Sequence, residues 1–460
     1  MAECTIGVDI GSTSVKAVLY DVAADKILHV ASAPLSKPIE NLPEGFYEDN
    51  PIAIRNLTIE LLKSIAQIAV ELHCSATRIC FTGQMHGGLF VDAQLNPTSN
   101  FITWQDKRGD TITNGQTLIE NLRTKLPESA WLETGGNVHT GFLGVTANWF
   151  IQNGGLPQKS VKLLGIYEWI AGSLCGNICY TDPSSAAAWG LYSIKEKNWS
   201  SKMLSALEIP DQLLPTVIEC GDEVGELTPA ALELLGYTGR VVIISGMGDT
   251  QASYIGSGCE PNQLLLNFGT GSQGMFEASR FCNLPGTDIR YLPKDRYLIT
   301  IPTLSGGKSF ATLEEFFAKT LVAFGGQGLQ KDEMYARMVQ LAMASAVEAQ
   351  SVEFTPFFNG NRFLPEGGFA TISGLNSGNF NPSALISALL AGMVREISEP
   401  YFRLPTQVRT QERLLGSGNG LKRNAALEAI ASRIFGMELD LSPFDEEAAR
   451  GAARLAAGLF

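Results

Sequence analysis

Ile6-Gly-Val-Asp-Ile-Gly-Ser-Thr-Ser-Val-Lys-Ala-Val-Leu-Tyr-Asp21 decides the fold, because a relative of it returns half a chain later as Leu264-Leu-Leu-Asn-Phe-Gly-Thr-Gly-Ser-Gln273. Each stretch runs apolar strand, glycine turn and hydroxyl residues, then turns back towards a second strand. Glycine lets backbone approach a ligand closely, so such a turn offers bare N–H groups and hydroxyls to anionic oxygens. Two related turns in one chain point to two similar lobes gripping a nucleoside triphosphate from both sides. The copies differ at one informative position, where Asp9 stands opposite Asn267. A carboxylate at that strand end can hold Mg²⁺ directly or through water.

Composition sets the outer limits. With 460 residues and 45 % apolar content, the chain can bury sizeable cores and divides into two or more domains. Its net charge of −13 comes without acidic runs, which favours solubility and argues against nucleic acid as a partner. Eight scattered cysteines form no CxxC; Cys175 and Cys179 lack further ligands nearby and read as free thiols of a reducing compartment. The N-terminus enters a strand almost at once, and no stretch approaches the length of a membrane span. A cytoplasmic protein with no membrane partner is expected.

Strand-like and helix-like segments alternate, the mark of α/β architecture. Ile6–Val8, Val15–Tyr20 and Ile27–Ser32 read as strands, and Pro51–Leu72 carries apolar residues at helical spacing. Arg78–Phe81 is a further strand with Gly83-Gln-Met-His-Gly-Gly88 at its carboxyl end, where open sheets place ligand loops. The pattern restarts at Val241-Val-Ile-Ile-Ser-Gly246, dividing the chain into lobes 1–240 and 241–460. The second lobe is expected to hold helices over Lys331–Gln350 and Pro382–Glu396, a third glycine loop over Leu414–Asn424, and an alanine-rich helix near Glu446–Ala457.

Two glycine motifs are set aside. Ser305-Gly-Gly-Lys-Ser309 lacks the leading glycine of a P-loop, its place taken by Pro302. Gly269, Gly271 and Gly274 match GxGxxG, but no long helix is announced after them. Ser245-Gly-Met-Gly-Asp-Thr-Gln-Ala-Ser253 delivers Asp249 to a helix start. There it serves either as an N-cap or as the carboxylate that takes a hydroxyl proton in phosphoryl transfer. In the first lobe, Trp104 offers an apolar wall to a sugar, while Gln84, Asp106 and Arg108 offer directed bonds to hydroxyls. Taken singly, His86 reads as a core histidine, Trp104 as packing and Asp106–Arg108 as a surface ion pair.

These motifs run in order from Thr5 to Ala457, with Tyr180-Thr-Asp-Pro-Ser-Ser-Ala-Ala-Ala-Trp189, Gly416–Gly420 and Gly451-Ala-Ala453 among them. Together they resemble the FGGY carbohydrate kinases, a branch of the actin-like ATPase fold. The resemblance implies two ribonuclease-H-like α/β lobes, with ATP and Mg²⁺ in the cleft and a sugar deeper, mostly on the first lobe. It assigns Asp249 as general base, Asp9 to Mg²⁺, and Gly11, Ser12, Thr13, Gly269, Thr270 and Gly271 to the phosphates, with Lys16 as helper. Gly306, Gly307, Gly418, Asn419 and Asn424 fall to the ribose and adenine, and Gln84, Met85, His86, Trp104, Asp106 and Arg108 to the sugar. Trp104–Arg108, Gly416–Asn424 and Gly360–Pro365 most resemble members acting on sedoheptulose, with xylulose next. Two departures stand out: Val145-Thr-Ala-Asn-Trp149 lacks the family's usual lysine, and Lys107 replaces a glycine. The resemblance leaves room for a homodimer. The rival from another class is an actin-like sugar sensor or scaffold that binds nucleotide only. Asp249 and the Trp104–Arg108 cluster speak against it.

Overall fold

The computed structural model describes residues 2–113, 115–136, 138–269, 271–282, 284–344, 351–361 and 368–460. Its centre is β1 (Ala2–Ile10), which pairs antiparallel with β2 (Ser14–Asp21), itself antiparallel to β3 (Lys26–Pro34). On its other side β1 runs parallel to β4 (Cys74–Gly83). A parallel neighbour needs a crossover, and α1 (Pro51–Glu71) supplies it, started by Asn50, whose side chain accepts from the Ala53 N–H at 3.1 Å. Its apolar stripe, Ile54, Leu61, Leu62, Ile65 and Ala69 among others, is buried as the spacing predicts. Two further strands, β5 (Glu223–Glu226) and β6 (Val242–Gly248), complete the order β5-β6-β4-β1-β2-β3.

The second sheet repeats this plan. It contains β7 (Gln263–Phe268), β8 (Ser272–Ala278), β9 (Asp288–Leu292), β10 (Arg296–Thr303), β11 (Arg413–Ser417) and β12 (Leu439–Leu441), in the order β9-β10-β8-β7-β11-β12. In both sheets a central strand carries antiparallel strands on one side and parallel ones on the other, except that edge strand β5 of the first sheet runs antiparallel to β6. The two glycine turns occupy equivalent places, between β1 and β2 and between β7 and β8.

The break expected at 240/241 would part β5 from β6, which pair in the first sheet. The apolar run Val241–Gly246 is an interior strand, buried on both faces, and its composition does not say which sheet it joins. After it, α2 (Asp249–Gly256) lies against the C-terminal α7 (Glu447–Ala456), which itself covers β1. The end of the chain thus returns to the first lobe, and the second sheet begins only at Gln263. The contact is too close for side chains: a Cβ on Gly7 would stand 1.9 Å from the Ala449 carbonyl oxygen, and one on Gly451 1.8 Å from that of Ala252. The alanine-rich stretch therefore reflects close packing as much as helix propensity.

Between them, the second lobe carries α3 (Gly307–Ala323), α4 (Lys331–Ala344), α5 (Pro382–Arg403) and α6 (Ala425–Phe435). The expected end of α4 at Gln350 and the Arg362–Pro365 part of the Gly360–Pro365 motif lie outside the described residues. Helix α5 runs about two turns past the expected Glu396 and continues through Pro400.

Candidate active site

Asp9 and Asp249 face the cleft from the carboxyl ends of β1 and β6, strands separated only by β4. Gly248 holds the N-cap position of α2, so Asp249 is the first helical residue and not the cap. Its Oδ1 accepts from the Thr250 N–H at 2.7 Å. Burial pushes the Asp249 carboxyl up, while Thr250 and the positive charge of Arg290 pull it back. Asp9 is pushed up to about 7, by burial first and then by the charge of Asp249, with Lys16 opposing. The buried Oδ1 of Asp9 has no protein partner among the described residues. Behind the site, the Gly248 N–H donates to Ser184 Oγ at 2.9 Å, and Ser184 donates to Asp182 at 2.5 Å, which fixes the strand end presenting Asp249.

The first glycine turn closes through Gly11 N–H to the Ser14 carbonyl at 3.1 Å, leaving Ser12 and Thr13 exposed. Gln84 is buried beside it and donates to the Gly11 carbonyl at 3.4 Å. Half-exposed Trp104 lies over the same turn, its Nε1–H donating to Ser12 Oγ at 3.2 Å. Lys16 is engaged elsewhere, paired with Glu446 at 2.5 Å. In the second lobe the Gly307 N–H donates to the Gly269 carbonyl at 2.9 Å, and a Cβ on Gly306 would stand 2.5 Å from the Gly271 carbonyl carbon. The start of α3 is thus laid against the second turn with bare backbone on both sides. Thr270 lies outside the described residues.

Beside that turn opens a cavity of about 680 Å³. Gly269, Gly307, Gly418, Asn419 and Asn424 line it together with Phe310 and Tyr335, while Gly306 does not. Gly418 has φ +81°, and a Cβ there would meet the Phe268 carbonyl at 2.6 Å. Asn424 caps α6, accepting from the Leu427 N–H at 3.1 Å. Phe310 and Tyr335 were not singled out in the sequence.

A second, small, half-open cavity is lined in part by Gln251, two residues beyond Asp249. Met85, His86 and Ser184 reach it from the first lobe, with Gln251 on α2, and Asp288 and Arg290 come from β9. His86 Nδ1–H donates to the Ala188 carbonyl at 2.7 Å and its ring stacks on Phe142, centroids 4.2 Å apart. Gln251, Asp288 and Arg290 were missed. The last two were legible as charges two apart on a strand, hence on one face. Gln251 gave no signal beyond its nearness to Asp249.

Asp106 and Arg108 are not brought into this cavity. Arg108 Nε and Nη2 donate to Asp106 Oδ1 and Oδ2 at 2.8 and 2.9 Å, Nη2 also to Glu48 at 2.5 Å. The Tyr47 N–H donates to Asp106 as well, at 2.8 Å. The guanidinium lies 4.4 Å from the Phe46 ring centroid, with Trp149 and Phe150 also against it. The expected surface pair is a buried tie between loops. The segment lacking the family's lysine supplies its aromatic cover through Trp149 and Phe150.

No described helix is long and apolar enough to cross a membrane. The architecture is a two-lobed actin-like fold, and the family to which the chain belongs makes it an ATP-dependent sugar kinase. Residues 4–256 match the model of the FGGY family of carbohydrate kinases, N-terminal domain, and the chain belongs to that family. It is 26 % identical to the xylulose kinase of Staphylococcus xylosus, over 98 % of this chain and 90 % of that one. It is equally 26 % identical to the sedoheptulokinase of Homo sapiens, over 98 % and 96 %. The crystal structure of xylulose kinase from Rhodospirillum rubrum shares the fold at a TM-score of 0.86 and 21 % identity, covering 99 % of this chain and 89 % of that one.

Proposed function

We propose that the chain transfers the γ-phosphoryl group of ATP to the terminal primary hydroxyl of a ketose, with D-sedoheptulose the favoured substrate and sedoheptulose 7-phosphate the product. The observation that carries this reading is the place of Asp249, half-buried at the head of α2, the helix whose Gln251 lines the second cavity. A carboxylate with a raised pKa is suited to take the hydroxyl proton as the oxygen attacks phosphorus and ADP departs. The sugar occupies the cavity of Met85 and His86, with Gln84 and Trp104 bordering the first turn. The phosphates lie between Gly11, Ser12 and Thr13 on one lobe and Gly269, Thr270 and Gly271 on the other. Gly306 and Gly307 face the ribose, and Gly418, Asn419 and Asn424 hold adenine. Lys16 helps the phosphates only by leaving Glu446.

Mg²⁺ fits Asp9, whose buried Oδ1 otherwise lacks a partner. Bound there, the cation supplies charge neutralisation to the phosphates. Division of the chain falls near 258–262, after α2, in place of 240/241. Every group in this scheme comes from one chain, so a homodimer leaves the site intact. ATP as co-substrate suits a cytoplasmic enzyme. Xylulose is the second reading, supported by the likeness to the Staphylococcus xylosus enzyme along nearly the whole chain.

The test is ADP release with Mg²⁺-ATP and D-sedoheptulose, D-xylulose, D-ribulose, L-ribulose, glycerol or no sugar, repeated with Asp249→Asn. Sedoheptulose should stimulate most, and the variant should lose about 10²–10⁴-fold in kcat while still binding sugar and ATP. A variant retaining a tenth of wild-type turnover would remove Asp249 as base, and a preference for xylulose would move the substrate.

A further inference from the structure

Gln251 is 1 % exposed, and neither its Oε1 nor its Nε2 has a protein partner. Among the buried amide side chains of the described residues it is the one with both ends unpaired. It lines the second cavity together with Asp288 and Arg290 of the other lobe, two residues beyond Asp249. Buried polar groups in folded proteins are nearly always hydrogen-bonded. An amide with unmatched donor and acceptor at a cavity wall marks a place where a ligand supplies the partners.

We propose, on the kinase reading above, that Gln251 determines sugar specificity by binding two adjacent hydroxyls of the ketose chain. Its NH₂ donates to one hydroxyl and its carbonyl accepts from the next. The amide distinguishes sugars by the configuration of that hydroxyl pair while the terminal hydroxyl rests at Asp249. Hydrogen bonds to a substrate hydroxyl discriminate strongly, because the wrong sugar leaves the buried amide unpaired.

Gln251→Met removes donor and acceptor at nearly constant volume, and Gln251→Asn withdraws the same groups by one methylene. Each is compared with wild type in ADP release on D-sedoheptulose and D-xylulose, in the KM for ATP, in sugar-independent ATP hydrolysis and in Tm. Gln251→Met is expected to raise the KM of the better ketose about 10–100-fold, the loss of two hydrogen bonds. The ATP parameters should stay within about twofold, the range left when no nucleotide contact is touched, and Tm should hold or rise, because an unpaired amide has been removed. A ketose KM unchanged in the variant overturns the role of Gln251 alone. So does a fall in Tm with ketose and ATP parameters worsening together, which marks a structural amide. If Gln251→Met does not fold, Gln251→Asn is judged by the same readouts. Wild type stimulated by neither ketose overturns this role together with the reading it rests on.

Discussion

Arg108 shows how residue chemistry can be read correctly and its employment missed. An Asp-x-Arg pair beside a tryptophan suits a sugar site, and nothing local says that both charges will be buried against each other. Removing one partner of a buried ion pair leaves an uncompensated charge and costs about 3–5 kcal/mol. Arg108→Met should therefore lower stability by that order in denaturant unfolding while leaving the ketose KM of the folded fraction near wild type. A large KM change at unaltered stability would return Arg108 to the sugar site. Asp9 is the opposite case. Its difference from Asn267 was visible in the chain, and its unpaired buried oxygen gives that difference a use.

At the scale of elements, the site is backed by helices over Ile166–Leu174 and Pro183–Ala188. Asp182 starts the second of these, accepting from the Ser184 and Ser185 N–H groups at 2.8 and 3.1 Å, and it also accepts from Tyr167 at 2.5 Å. Glu168 is fully buried nearby, with Thr181 Oγ1 donating to it at 3.1 Å. Burial first, then the charge of Asp182, holds the Glu168 carboxyl well above the usual range. The folded chain thus keeps a proton that the unfolded chain releases near the ordinary glutamate pKa. Stability attributable to Glu168 is complete below that pKa and declines as pH rises towards the elevated folded value. Glu168→Gln should gain Tm relative to wild type between pH 5 and pH 8. A pH-independent difference would show that Glu168 does not titrate on unfolding.

At the scale of the whole molecule, the smaller cavity takes walls from each lobe, and the larger one lies beside the second glycine turn. A ligand that touches both lobes favours the closed arrangement by its extra contacts there. Small-angle scattering should give a smaller radius of gyration with a non-hydrolysable ATP analogue plus D-sedoheptulose than with neither. An unchanged radius with both bound would mean that the cleft is already in its working form.

The duplicated strand–turn–strand and the α/β class were determined by the sequence alone, because glycine turns and apolar periodicity are local properties of the chain. Asp249 was placed at a helix start by the same local logic. Which sheet β6 joins, the return of α7 to the first lobe, the burial of Asp106 and Arg108 against each other, and the meeting of Gln251, Asp288 and Arg290 at one cavity were decided only by tertiary structure. Each depends on contacts between residues far apart in the chain, where burial and the pairing of charges are settled by whatever the fold brings alongside.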